Sequence, residues 1–80
     1  MQISLELSLY PFADDYSEDV NIFLEKLYSH PNLKIETNSM STIISGEYQQ
    51  VMELINTEMK IFFEKNKAVF IIKISNGCII

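Results

Sequence analysis

The stretch that decides the fold is Ile3-Ser4-Leu5-Glu6-Leu7-Ser8-Leu9-Tyr10-Pro11, in which apolar and polar residues alternate up to a proline. Alternation with a period of two is typical of a β-strand that packs one face on a hydrophobic core. The other face of this strand carries serine, glutamate and tyrosine side chains. Because a strand buried on both faces has no need of these polar groups, we expect the second face to contact a ligand or a partner.

The rest of the chain predicts five further elements. They are a helix over about 17–29, a strand over 33–37, a strand over 40–45 that closes at Gly46, a helix over about 47–65 and a strand over 68–75. The helices follow from apolar residues at helical spacing, and the strands from alternation or β-branched residues. Two βαβ halves in this order predict a ferredoxin-like α+β sandwich, a four-stranded antiparallel sheet with strand order 4-1-3-2 and both helices on one face.

In that strand order the first and last strands are neighbours, so their residues share two faces. The side toward the helices is predicted to carry Ile3, Leu5, Leu7, Leu9, Phe70, Ile72 and Ile74. The open side is predicted to carry Ser4, Glu6, Ser8, Tyr10, Val69, Ile71, Lys73 and Ser75. The open side is too apolar for a solvated surface and too polar for a dry core, and a face of this kind holds a ligand or meets another sheet.

Length and charge limit the classes of function. Eighty residues predict one domain over 1–80, which buries roughly 60% of the surface of its unfolded chain and gains stability from oligomerisation. The net charge is -5 and all six basic residues are lysines. Without arginine the chain lacks the fork-shaped contacts that nucleic-acid binders use, so we expect no nucleic-acid partner. A cationic small molecule fits the charge better.

Cysteine content and hydropathy predict a cytoplasmic protein. Cys78 is the single cysteine and the chain has one histidine, so neither an intrachain disulfide nor a conventional zinc site is expected, and we predict no cofactor. The apolar run over 68–72 is far shorter than the roughly 20 residues that span a bilayer, and Glu6 interrupts the region that would be apolar in a signal peptide. We therefore expect no membrane partner.

Three segments carry a resemblance to a known family. They are Ser8-Leu9-Tyr10-Pro11 followed by Asp14-Asp15, Met40-Ser41-Thr42 shortly before Gly46, and Ile74-Ser75-Asn76-Gly77-Cys78. In this order and spacing they resemble the YkoF-like family of thiamine- and hydroxymethylpyrimidine-binding proteins, over about 3–78. The resemblance implies ferredoxin-like repeats that pair, and hence, for this single repeat, a homodimer or a dimer of dimers with facing sheets. The chain departs from the family at Ile79-Ile80, where polar residues are expected.

The resemblance also implies a ligand site formed by Glu6, Ser8, Tyr10, Ser41 and Thr42. Thiamine joins an aminopyrimidine to a permanently cationic thiazolium. Tyr10 can stack or hydrogen-bond, and Glu6 can accept from the amino group or offset the cation. The hydroxyls come from the serines and the threonine. Because adjacent strand residues point to opposite faces, Ser41 and Thr42 are not expected to contact one ligand together, and the sequence does not choose between them.

Other interpretations stay open at this point. Glu6 can instead pair with Lys73 on the same face, an interaction worth under about 1 kcal/mol when exposed, and Tyr10 can be packing at a strand end. Enzymes and metal carriers on this fold need an arginine or paired cysteines, which the chain lacks. We therefore predict non-catalytic binding of thiamine or its hydroxymethylpyrimidine moiety by a homo-oligomer. The alternative is a structural module whose open face serves only self-association.

Overall fold

The computed structural model describes residues 1–12, 14–15 and 17–77. Its elements are β1 (Gln2–Pro11), α1 (Ser17–Tyr28), β2 (Lys34–Thr37), β3 (Thr42–Glu47), α2 (Tyr48–Lys65) and β4 (Ala68–Ser75). The strands form one antiparallel sheet in the order β2-β3-β1-β4. The predicted ferredoxin-like α+β fold is confirmed. Cys78 and Ile79-Ile80 lie outside the described residues.

The core lies between the sheet and the two helices. Leu5 and Ile44 face each other across β1 and β3 and are completely buried, as are Leu27 of α1 and Val51 of α2. Both helices therefore cover the same face of the sheet, the one predicted from the alternation of β1. Ile74 belongs to this face but is 48% exposed, because it lies near the end of β4, an outer strand of the sheet.

β1 is a central strand, and its main-chain groups alternate between two neighbours. The N–H of Tyr48 donates to the carbonyl of Met1 at 2.8 Å, just beyond the β1–β3 ladder. The N–H of Phe12 donates to the carbonyl of Lys67 at 3.0 Å, just beyond the β1–β4 ladder. Odd-numbered residues of β1 therefore direct their N–H and C=O groups toward β3, and even-numbered residues direct theirs toward β4.

The third strand begins two residues later than predicted. The Asn38 side-chain oxygen accepts hydrogen bonds from the backbone N–H groups of Met40 at 2.7 Å and Ser41 at 2.9 Å. The Asn38 N–H also donates to the carbonyl of Ser41 at 3.0 Å. An asparagine that bonds the following amides in this way closes a turn. β3 therefore starts at Thr42, and Met40 is 80% exposed at the turn.

The end of the third strand also differs from the prediction. β3 does not close at Gly46 but continues to Glu47. Gly46 lies opposite Ile3, and a Cβ atom at this position would overlap the Leu33 side chain. The glycine thus leaves room for the close approach of the Leu33 side chain to the strand. Glu47 then caps α2 by accepting the N–H of Gln49 at 3.1 Å.

Aromatic side chains of both helices pack against β4. Phe23 of α1 and Phe62 of α2 have ring centroids 5.5 Å and 5.8 Å from Phe70 of β4, and Phe63 adds a perpendicular contact at 5.1 Å. The Phe62 and Phe63 rings meet Phe70 edge to face, and such contacts add about 0.5–1.5 kcal/mol each beyond the area they bury. Within the described part of the chain, neither helix is both long and apolar enough to cross a membrane.

Candidate functional site

The open face of the sheet holds the polar side of β1. Across from β1 on this face, Ile43 and Lys73 flank Glu6, Ile71 faces Ser8, and Val69 faces Tyr10. The apolar residues of this set form a strip toward one end of β4, in which Tyr10 is 53% exposed, Ile71 51% and Val69 42%. The face is thus divided into a polar part around Glu6 and an apolar part around Tyr10 and Ile71.

Glu6 is bonded to a hydroxyl rather than to a lysine. The Ser41 hydroxyl donates to Glu6 Oε2 at 2.9 Å, in a part-buried contact between residues 35 positions apart in the chain. Lys73 lies opposite Glu6 in the register, but no ion pair within 4.0 Å joins these two described residues. The structure therefore does not form the cross-strand salt bridge that was the alternative role of Glu6. The bond from Ser41 orients the carboxylate.

One side of β1 loses its neighbour halfway along the strand. Pairing with β3 ends at Leu7 and Thr42, whereas pairing with β4 continues to Pro11. The next hydrogen-bonded pair of the ladder would join Leu9 to Met40, which already belongs to the turn after β2. The β2–β3 hairpin therefore departs from β1 at this point and leaves part of the strand edge uncovered.

A groove of about 240 Å³ lies at this uncovered edge. Its lining is apolar on the side of β1 and α1 and polar on the side of the turn, and consists of Leu7, Ser8, Leu9, Val20, Phe23, Leu24 and residues 38–42. Ligand sites are typically concave and mostly apolar, with a few convergent polar groups. The volume lies just below the roughly 300–1,000 Å³ of pockets for drug-sized ligands, so the groove suits a single substituted ring.

A relay of hydroxyls supports the polar wall of the groove. The Tyr28 hydroxyl donates to Thr37 Oγ1 at 2.9 Å, and the Thr37 and Thr42 hydroxyls are 3.2 Å apart. Thr42 is 4% exposed and faces the helices. The relay joins the end of α1 to the first residue of β3 and so fixes the base of the turn that borders the groove.

The structure places four of the five residues predicted to form a site in or beside the groove, and the fifth outside it. Ser8, Ser41 and Thr42 line the groove, and Glu6 adjoins it through the Ser41 hydroxyl. Tyr10 lies on the open face, outside the lining. Ser41 lies in the turn and Thr42 is the first residue of β3, and both line the groove because it opens at the sheet edge.

Sequence reasoning missed the other contributors to the groove. The turn residues, Asn38 above all, and the inner face of α1 were not among the candidates. An asparagine between two predicted strands is a recognisable turn signal. The turn and α1 come together at the groove only in the folded chain.

A second cavity, between the two helices, is much smaller. It has a volume of about 20 Å³ and is lined in part by Asp19 and Asn66. The Asn66 amide donates to Asp19 Oδ2 at 3.0 Å. A space of this size holds about one water molecule, so the edge groove is the better candidate for a ligand site.

The fold and the groove together define a small ferredoxin-like domain with a mixed polar and apolar site at the edge of its central strand. The chain belongs to the thiamine-binding protein family, whose profile matches residues 5–76. The match includes the whole groove and confirms the YkoF-like resemblance found in the sequence. No match to this sequence is found among curated proteins.

Solved structures from distant organisms have the same fold. A protein of Streptococcus pneumoniae superposes with a TM-score of 0.87 at 16% identity, covering 99% of this chain and 90% of its own. A Thermotoga maritima protein named for thiamine biosynthesis or salvage has a TM-score of 0.80 at 18% identity, with 94% and 83% covered. A Methanocaldococcus jannascii protein has a TM-score of 0.77 at 22% identity, with 94% and 79% covered. At these identities the likeness shows a shared fold.

Proposed function

We propose that this chain binds thiamine, or its hydroxymethylpyrimidine moiety, without catalysing a reaction on it. The observation that carries the proposal is the Glu6 carboxylate, which Ser41 holds at 2.9 Å beside the groove and which forms no ion pair within 4.0 Å with any described residue. An oriented carboxylate in a chain of net charge -5 attracts a cation. Membership of the thiamine-binding protein family supports thiamine as the source of that cation.

The two rings of thiamine are assigned to two parts of the site. The aminopyrimidine lies in the groove, against its apolar wall and within reach of the Ser8, Ser41 and Thr42 hydroxyls. The thiazolium lies toward the open face, where Glu6 offsets its charge. Tyr10 stacks on or hydrogen-bonds the part of the ligand that emerges on this face. The volume of about 240 Å³ supports this division, because it suits one ring better than the whole vitamin.

The proposal includes a homodimer or a dimer of dimers, located in the cytoplasm. A second copy placed sheet to sheet covers the exposed strip of Tyr10, Val69 and Ile71 and shields a ligand on the open face from water. Burial of apolar area stabilises such an interface by roughly 25 cal/mol per Å². The same strip is the observation that favours the second candidate function, a module for self-association alone.

Thermal unfolding with and without ligand tests the binding proposal. Ligand at 100 times its dissociation constant stabilises the native state by about 2.7 kcal/mol, which raises the midpoint by roughly ten degrees or more in a domain of this size. We expect such a shift with thiamine and with hydroxymethylpyrimidine. A midpoint that stays flat at millimolar concentrations of both compounds contradicts binding and leaves self-association as the function.

Sedimentation velocity tests the interface. Ile71→Lys places a charge in the exposed strip, and we expect it to convert the oligomer to a monomer, because an unpaired charge is costly in an apolar interface. Ile61→Lys is the matched control, since Ile61 is 41% exposed on α2, away from the open face. An unchanged sedimentation coefficient for the Ile71 variant, or equal losses for both variants, would rule out the open face as the interface.

A further inference from the structure

We infer that the main-chain N–H and C=O of Leu9 recognise the amino-substituted edge of the pyrimidine ring. This inference rests on the proposed function and names the groups that select the ligand. It assigns specificity to the backbone of β1, whereas the side chains of the site supply orientation and charge.

The direction of the Leu9 main chain follows from the ladder. Odd-numbered residues of β1 present their N–H and C=O to β3, as the bond between Met1 and Tyr48 shows. Leu7 is the last of them with a partner, Thr42. No hydrogen bond of the described chain involves the main chain of Leu9 outside the ladders, and Leu9 lines the groove. Its donor and its acceptor therefore point together into the groove.

The Asn38 and Ser8 side chains bond the two main-chain groups of Met40 that would otherwise pair with Leu9. In a continued ladder, Met40 would exchange both of its main-chain bonds with Leu9. Instead the Met40 N–H donates to Asn38 Oδ1 at 2.7 Å, and the Met40 carbonyl accepts the Ser8 hydroxyl at 3.3 Å. Both groups that would close the ladder are thus engaged elsewhere, so the site keeps an open strand edge.

The chemistry of that edge matches an aminopyrimidine. A ring nitrogen next to an exocyclic amino group presents an acceptor and a donor side by side in one plane. The Leu9 N–H donates to the ring nitrogen, and the amino group donates to the Leu9 carbonyl. An analogue without the amino group leaves that carbonyl without a partner once the groove excludes water, and an unpaired buried polar group is the strongest basis for rejecting a ligand.

Total chemical synthesis of this 80-residue chain provides the test. An ester in place of the Leu9 amide removes the N–H and keeps the side chain. The matched control is an ester at Leu7, whose N–H lies in the ladder with Thr42. Both esters weaken the preceding carbonyl equally, so their difference reports on the N–H. Binding of hydroxymethylpyrimidine, its analogue without the amino group, and thiamine is measured by calorimetry, and unfolding midpoints by circular dichroism.

We expect the Leu9 ester to keep its midpoint within about two degrees and to bind hydroxymethylpyrimidine and thiamine about tenfold more weakly. The Leu7 ester should lose about five degrees or more. The analogue without the amino group should bind the unmodified chain at least about tenfold more weakly than hydroxymethylpyrimidine.

Three results overturn the inference. One is a Leu9 ester that binds hydroxymethylpyrimidine as tightly as the unmodified chain does, and another is an analogue without the amino group that binds equally well. The third is a Leu9 ester that is as unstable as the Leu7 ester, because its N–H would then belong to the ladder. An unmodified chain that binds neither thiamine nor hydroxymethylpyrimidine refutes the proposed function as well, which separates the two failures.

Discussion

The two halves of β1 have the same alternating sequence but different surroundings. From Ser4 to Leu7 the strand has β3 on one side and β4 on the other, and the inward side chains of Ile3, Leu5 and Leu7 are at most 5% exposed. From Ser8 to Pro11 it keeps only β4, and Leu9 is only partly buried. The first half supports the fold, and the second half borders the groove.

The candidate site therefore lies where the pairing between β1 and β3 stops. A strand edge without a neighbour presents donors and acceptors that another group can take. In many proteins such an edge is a liability, because another chain can pair with it. Here residues of the turn between β2 and β3 and of helix α1 line the groove at this edge.

Amide hydrogen exchange gives the largest contrast between the two halves. The Leu5 N–H lies in the ladder at the centre of the core and should exchange only on global unfolding. The Leu9 N–H faces the groove and should exchange at least about a thousandfold faster, since global unfolding costs at least about 5 kcal/mol in typical domains. Exchange followed by NMR measures both rates. Similar protection of Leu5 and Leu9 without ligand would show that the second half is paired after all.

Core truncation gives the next largest contrast. Leu5→Ala should lower the free energy of unfolding by about 2–5 kcal/mol, because Leu5 is completely buried and its removal leaves a cavity. Leu9→Ala should cost less than half as much, because Leu9 is only partly buried beside an open groove. Urea denaturation of both variants provides the values. Equal losses would mean that the two halves of β1 contribute alike to the core.

Charge removal tests the polar part of the open face. Glu6→Gln keeps an acceptor for the Ser41 hydroxyl but removes the negative charge, so we expect about tenfold weaker thiamine binding and a smaller change for the uncharged hydroxymethylpyrimidine. Glu64→Gln on α2 makes the same change of net charge and is the control, for which we expect no effect. Calorimetry with both ligands is the measurement. Equal losses for the two ligands would place Glu6 at the pyrimidine rather than at the cation.

Removal of one hydroxyl should have the smallest effect. Ser41→Ala frees the Glu6 carboxylate from its 2.9 Å bond, and we expect thiamine binding to weaken about three- to tenfold with little change in stability. Ser45→Ala is the control, because its hydroxyl lies 3.2 Å from Ser4 Oγ on the same face but opposite the first half of β1. Affinities come from titration calorimetry. An equal effect of both variants would indicate a general weakening of the sheet.

Local patterns in the sequence predicted most of the fold. The alternation of β1 identified its buried side, and β4 has the predicted bounds. The errors concern the two ends of β3. At its start, the Asn38 side chain bonds the Met40 amide in the turn before the strand. At its end, the strand continues past Gly46, next to which the Leu33 side chain packs.

The candidate site was less predictable. Glu6, Ser8 and Ser41 follow from a polar face and a family resemblance, and the structure joins Glu6 to Ser41 although 35 positions separate them. The turn at Asn38 and the inner face of α1 were missed, because their part in the groove depends on how the hairpin and the helix cross β1. Tyr10 was grouped with the others by alternation and by the family resemblance, and it lies outside the groove lining.

The sequence alone determined the order of the elements and the buried side of β1, because hydrophobic periodicity is set by residues close together in the chain. It also shows directly that the chain lacks arginine. Only the folded chain shows where the β1–β3 ladder ends, that Glu6 bonds to Ser41 and not to Lys73, and that no described residue is seen to bond the N–H or C=O of Leu9. These depend on which main-chain groups compete for the same partners once strands and turns are packed. That competition is settled only in the folded chain, since the partners are distant in sequence.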